Sequence, residues 1–229
     1  MQMNQAMVRV GNVDALAGAA LLAGESWLTG REHTRMLAIS APQRRRQFLA
    51  GHWLARLLAA QACGGEPGQW RLDTGDDPRP RLHCSGRPGL WASLSHSGPD
   101  VAAGVAHQAI GLDLEQSSRE RDLVALAHFV LAPEEARQVA GHAPGPDQRA
   151  CFHRLWTLKE AHGKRSGEGL QPTKARRVAA RPSAEAEAEA WHWPLPGSGS
   201  LAVAAWPGLQ VSLDGADVIA STWRYHPLP

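Results

Sequence analysis

The chain has 229 residues, with 24 Lys and Arg against 22 Asp and Glu and a formal net charge of +2. That near balance argues against a dedicated nucleic-acid binder, and a hydrophobic fraction of 43% can fill one large domain or two of about 100 residues. Cys63, Cys84 and Cys151 are odd in number, far apart and free of any C-x-x-C pair, which argues against a disulfide framework or a zinc knuckle and favours a reducing cytoplasm.

Near the start, the apolar run Leu16–Gly24 falls short of the roughly 18 residues a membrane span needs, and no basic segment precedes it. No membrane partner is expected. Residues 43–61 place Phe48, Trp53, Leu54, Leu57 and Leu58 largely on one helical face, with Arg44, Arg45 and Arg46 at the helix start. Residues 64–90 mix Pro, Gly, Asp and Arg and predict turns around short strands.

From Val101 two short apolar runs, residues 101–106 and 110–115, flank His107-Gln108-Ala109 and predict an antiparallel hairpin. In the second run Ile110, Leu112 and Leu114 share one strand face, which puts Gly111, Asp113 and Glu115 on the other. Two carboxylates then lie roughly 6–7 Å apart beside a glycine that leaves room. Residues 121–140 read as helix interrupted at Pro133, and a second strong helix runs from about Gln148 to Ser166, ending at Gly167 and Gly169. On it Trp156, Glu160 and Lys164 fall on one stripe. Residues 183–190, SAEAEAEA, predict an exposed, mobile connector. After them, residues 199–215 echo residues 100–115, small-residue strand followed by alternating strand, which suggests an internal duplication.

The carboxylates Asp113 and Glu115 are either a solvated strand face or a platform for a hard cation, which takes one or two carboxylates plus water and phosphate oxygens; Glu160 is a candidate third donor. Lys164 with Glu160 reads either as a surface ion pair, worth about 0.3–0.5 kcal/mol, or as part of a half-buried site. Ser95-His96-Ser97 is an ordinary loop or a set of phosphate donors. The three arginines of residues 44–46 suit an anion better than they suit the helix dipole.

These residues together resemble the surfactin-synthetase-type 4'-phosphopantetheinyl transferase family. Gly111-Leu112-Asp113-Leu114-Glu115 is close to its G-[IV]-D-[IVL]-E, and Trp156-Thr157-Leu158-Lys159-Glu160-Ala161-His162-Gly163-Lys164 to its W-[ST]-x-K-E-[AS]-x-x-K. Ser95-His96-Ser97, the turn Gly86-Arg87-Pro88, and Gly51 with Arg56 match further upstream, in the expected order between residues 44 and 170. Departures are His52 for a common arginine, Ser93 for a common asparagine, and Gly163, a poor helix former costing roughly 1 kcal/mol.

The resemblance implies an α+β fold of two pseudo-symmetric halves, residues 1–114 and 115–229, each a small, mostly antiparallel sheet packed on a long helix, acting as a cytoplasmic monomer. It implies transfer of the phosphopantetheine arm of coenzyme A to a serine of an acyl, peptidyl or aryl carrier protein, releasing 3',5'-ADP. Carried over residue by residue, Asp113, Glu115 and Glu160 hold Mg²⁺ or Mn²⁺, Glu160 is the candidate base, and Lys164 holds the phosphates. Arg44, Gly86, Arg87, Pro88, Ser95 and His96 line the co-substrate. The rivals are a non-catalytic binder of coenzyme A and a metal-dependent nucleotide hydrolase.

Overall fold

A computed structural model describes residues 4–75, 77–116, 121–215 and 218–229. In chain order its elements are β1 (Gln5–Asn12), α1 (Val13–Leu22), α2 (Gly30–Ala38), α3 (Pro42–Cys63), β2 (Arg71–Asp73), β3 (Arg81–His83), β4 (Leu90–Ser97), β5 (Asp100–Ala106) and β6 (Gly111–Glu115). There follow α4 (Leu123–Val130), α5 (Pro133–Ala140), α6 (Pro146–Ser166), α7 (Pro172–Ala175), β7 (Val178–Pro182), β8 (Ala190–Leu195), β9 (Gly199–Ala204), β10 (Gln210–Leu213) and β11 (Ser221–Pro227). They form two compact units. One holds the described residues up to Ile110 plus Leu209–Gly215, the other Gly111–Gly208 plus the described residues after Gly215.

In the first unit a six-stranded sheet has the order β10-β1-β5-β4-β3-β2, antiparallel except where β10 runs parallel to β1. The long helix α3 starts with proline at its first turn, where a missing N–H costs nothing. Its apolar residues Phe48, Trp53, Leu54 and Leu58 pack on Val101, Ala103 and Val105 of the sheet. A buried polar cluster joins α3 to α2. The Arg56 guanidinium, fully buried, donates to the carbonyls of Trp70, His52 and Trp27 and at 2.7 Å to Glu32. Glu32 also accepts from His52 at 2.7 Å and from the Thr29 N–H, closing a capping box. His52, where the resembled family often has arginine, thus serves this cluster and stacks on Phe48.

The second unit is a five-stranded antiparallel sheet in the order β6-β9-β8-β11-β7. α6 lies along β6 and β9. It begins at Pro146 and ends on Gly167 in the left-handed region. The interrupted helical stretch resolves into α4 and α5, with Pro133 in the first turn of α5. No helix among the described residues is long and apolar enough to cross a membrane.

Two expectations need correction. Residues 101–106 and 110–115 are not a hairpin: β5 pairs with β1 and β4, whereas β6 pairs with β9 in the other sheet. Apolar runs mark both strands, but they say nothing about which strand is the partner. The echo in residues 199–215 divides the same way, β9 joining the second sheet and β10 the first. Residues 183–190 are not simply a connector. Glu185–Glu187 make a 3₁₀ turn, the Glu189 N–H donates to Trp223, and Ala188 and Ala190 are buried, because alanine is small enough to enter the sheet where the glutamates stay outside.

Two glycines set how closely the chain packs around α6. A Cβ on Gly111 would lie 1.9 Å from the Ala161 carbonyl oxygen and 2.4 Å from the Arg165 nitrogen, so strand and helix backbones touch with no side chain between them. A Cβ on Gly163 would meet the Gly169 carbonyl at 2.6 Å, and the Gly169 N–H donates to Gly163 at 3.0 Å. The poor helix former is therefore required by the returning chain.

Gly111→Ala is expected to destabilise the second unit by at least the roughly 1–3 kcal/mol typical of overpacking, since the atoms met are helix backbone; denaturant unfolding measures it. In the first unit, burial pushes the Glu32 carboxyl up, but hydrogen bonds from His52 and Arg56 outweigh it and hold the group at about 2 against an ordinary 4.5. A depressed folded value means stabilisation present above about 4.5 and lost as pH falls towards 2. Burial also lowers His52 from 6.5, a shift of the same sign. Glu32→Gln should flatten the acid limb of a stability-against-pH curve.

Candidate functional site

The second unit brings together Asp113, Lys164 and Glu160. Asp113 projects from the middle of β6, buried to 6% exposure, on the face that Gly111 presses against α6. Lys164, in the last turn of α6, donates to Asp113 at 2.7 Å and to the Leu112 carbonyl at 2.9 Å. Glu160 lies one helical turn earlier. Burial pushes its carboxyl above the usual 4.5, the Asp113 charge pushes it further, and Lys164 pulls it back. Glu115 follows two residues after Asp113 on the same strand face. It borders a small recess of about 40 Å³, lined with Arg121, Arg149, Trp156 and Phe152.

Among the described residues no three His, Cys, Asp or Glu side chains gather into a ready-made cation cage. The donor chemistry nevertheless fits a hard divalent cation. Two carboxylates close enough to raise a proton affinity share one lysine, and Mg²⁺ normally takes one or two carboxylates and completes its shell with water and phosphate oxygens.

Polar groups behind this face are tied down. Thr157 of α6 meets the Ser200 hydroxyl at 2.8 Å, and Ser200, opposite Glu115 across β6 and β9, meets His192 at 3.0 Å. Burial lowers His192 to about 4, as it does His162, so both are neutral near pH 7. Neither Ser200 nor His192 was legible as a partner of the motif helix. The pairing comes from sheet register, which a local pattern does not carry.

Other candidates lie in the first unit. Arg44 donates to a ring nitrogen of His96 at 2.9 Å, and since arginine only donates, that nitrogen carries no proton. Arg45 and Arg46 turn elsewhere, to the Ile39 carbonyl and to Gln43 and Asp14, so the three arginines do not converge. Ser95, His96 and Ser97 end β4 in register with Ala102, Val101 and Asp100. A strand alternates its side chains, so the two serines face away from His96 rather than forming one loop of donors. Gly86-Arg87-Pro88 is a turn, and Arg87 donates to the Cys63 carbonyl at 2.5 Å, closing the end of α3.

Residues 109–197 match the 4'-phosphopantetheinyl transferase superfamily. The chain is similar to the 4'-phosphopantetheinyl transferase HetI of Nostoc sp., 31% identical over 158 residues, 68% of this chain and 66% of that protein. It is 30% identical over 152 residues to a putative 4'-phosphopantetheinyl transferase of Synechocystis sp., covering 66% of this chain and 59% of the relative. The corresponding protein of Bacillus subtilis is 29% identical over 153 residues, 62% of this chain and 66% of its own. The matches thus span less than two thirds of these relatives' lengths.

The electrostatic reading of the triad predicts opposite responses to two substitutions. Asp113→Asn should bring the Glu160 carboxyl down towards 4.5, and Lys164→Met should push it further up. A pH titration of ¹³C-labelled glutamate by NMR checks both; identical titrations in wild type and variants would reject the coupling.

Proposed function

We propose, from the membership of residues 109–197 in the 4'-phosphopantetheinyl transferase superfamily, that the chain transfers the phosphopantetheine arm of coenzyme A to a serine of a carrier protein. The observation that carries this reading is the Asp113, Glu160 and Lys164 group, which falls inside the matched segment and joins two carboxylates to one lysine. Phosphoryl transfer needs positioning and charge neutralisation more than covalent catalysis, and this group has the means for both. The similar proteins of Nostoc sp. and Bacillus subtilis, both 4'-phosphopantetheinyl transferases by name, support the same activity.

In this reading Asp113, Glu115 and Glu160 would hold Mg²⁺ or Mn²⁺. The cation supplies neutralisation of the pyrophosphate charge. Glu160 accepts the proton of the carrier serine hydroxyl. Its place one helical turn before Lys164 puts it in the same group as Asp113. The serine oxygen bonds to the β-phosphorus of coenzyme A, the phosphorus–oxygen bond to the α-phosphate breaks, and 3',5'-ADP leaves. Lys164 stabilises the charge on that leaving phosphate. Arg44 and His96 hold phosphate, with Gly86, Arg87, Pro88 and Ser95 beside the nucleotide. The apolar wall of the recess next to Glu115, with Trp156 and Phe152, suits an uncharged chain. The three unpaired cysteines are in keeping with a cytoplasmic setting, and the chain acts as a monomer.

Incubation with coenzyme A, Mg²⁺ and an apo carrier protein, followed by intact-mass analysis, tests the proposal. One phosphopantetheinyl adduct on the carrier is expected. An unchanged carrier, or nucleotide cleavage without an adduct, would replace the reading by a binder or a hydrolase. Glu160→Gln separates base from ligand. Loss of about 10²–10⁴ in kcat with metal affinity kept marks a base; weakened affinity and rescue by excess Mn²⁺ mark a ligand.

A further inference from the structure

The lysine beside Glu160 has a different job from Lys164. Lys159 is 3% exposed and points away from β6, into the space between α6, α5 and the segment from α7 to β7. Its ammonium lies 2.8 Å from Glu135, itself 1% exposed, and donates to the Ala175 carbonyl at 3.1 Å and to the Val178 carbonyl. Glu135 is equally committed. It accepts the Ala132 N–H and the Ala180 N–H, each at 2.8 Å. Six backbone or side-chain groups from α5 and its N-cap, α6, α7 and β7 therefore meet at one buried, charge-balanced point.

Successive helix residues point about 100° apart, so fixing the direction of Lys159 fixes that of Glu160. On its other side α6 is pressed against β6 at Ala161 by the bare Gly111. A helix held at Lys159 and Ala161, on either side of Glu160, from two directions can neither roll nor slide. From this the geometry points to Lys159 as a positioning residue: its clamp with Glu135 sets the rotational phase of α6, so that Glu160 faces Asp113 and Lys164. Lys159 is then no phosphate ligand, because its donors are already spent on Glu135 and two carbonyls. Replacing a buried pair as a whole is far better tolerated than removing one partner, which makes the double substitution the informative one.

The inference rests on the metal role proposed for Glu160, and its test uses Mn²⁺ alone, without turnover. Electron paramagnetic resonance would compare Mn²⁺ binding in wild type, Lys159→Met/Glu135→Gln and Asp113→Asn. The double variant is expected to fold by circular dichroism yet bind Mn²⁺ at least about tenfold more weakly, although neither altered residue faces Asp113. A merely structural pair would lower the unfolding midpoint and leave Mn²⁺ affinity unchanged, which overturns the proposal. So does a raised KM for coenzyme A at unaltered Mn²⁺ affinity, the mark of a phosphate ligand. If the double variant does not fold, Glu135→Asp keeps both charges and draws the carboxylate back by one methylene; a several-fold loss of Mn²⁺ affinity is then required. Wild type that binds no Mn²⁺ speaks against the metal reading alone. A crystal structure of the folded variant then decides the clamp, which fails if Glu160 keeps its place against Asp113.

Discussion

Gly111 lies against the carbonyl of Ala161 with no side chain in between, and the chemistry of the second unit follows from that contact. A helix packed on a strand through ordinary side chains stands several ångströms further off. Here the backbones touch, so a lysine one turn along α6 reaches both the Leu112 carbonyl and the Asp113 carboxylate at hydrogen-bond distance. The same closeness brings Glu160 near enough to feel the Asp113 charge. Gly163 makes a second close approach, this time to the chain returning after Gly167. Both glycines lower local helix or strand propensity, and both are explained by what the missing Cβ would strike.

Electrostatics then follow from burial. His162 and His192 are held neutral by their surroundings, at about 4, and Lys159 is matched by Glu135. Lys164 pairs with Asp113 and lowers the proton affinity of Glu160. Burial first, and the Asp113 charge after it, raise the proton affinity of Glu160, and Lys164 offsets only part of that. A group of this kind stores unfavourable charge that a cation, a proton or a phosphate-bearing ligand can relieve. Behind the same strand pair, hydrogen bonds run from Thr157 to Ser200 to His192.

Much of this was legible in the sequence because it is local. The helices α3 and α6, the paired carboxylates on one face of β6 and the stripe of Glu160 and Lys164 all follow from periods of 3.6 and 2. Long-range choices were not legible. The runs at 101–106 and 110–115 satisfy a hairpin pattern, yet the chain between them passes from one sheet to the other. The arginines at residues 44–46 are adjacent in sequence but point in three directions around a helix. The alanines of residues 183–190 looked like filler and include two buried positions. Glu135 carries no signal beyond its place in the first turn of a proline-started helix; its partnership with Lys159 exists only once α5 and α6 pack.

The internal echo acquires a physical meaning from the topology. Residues 100–106 and 199–204 are small-residue strands because each lies inside a sheet and packs with little room, all of residues 101–106 and 199–204 being buried. The strands that follow each of them are edge strands of the opposite sheet, β6 in one and β10 in the other. An edge strand has only one neighbour to satisfy, so its outward-facing residues are free to be polar. In β10 the residues are exposed or half-buried. In β6 the long helix α6 covers the same kind of strand, and Asp113 becomes buried while Glu115 is half-buried. An alternating strand thus stays an exposed or half-buried sheet edge at β10 and carries a charged site at β6, where α6 packs on it, and burial follows from what packs on the strand rather than from the strand's own pattern.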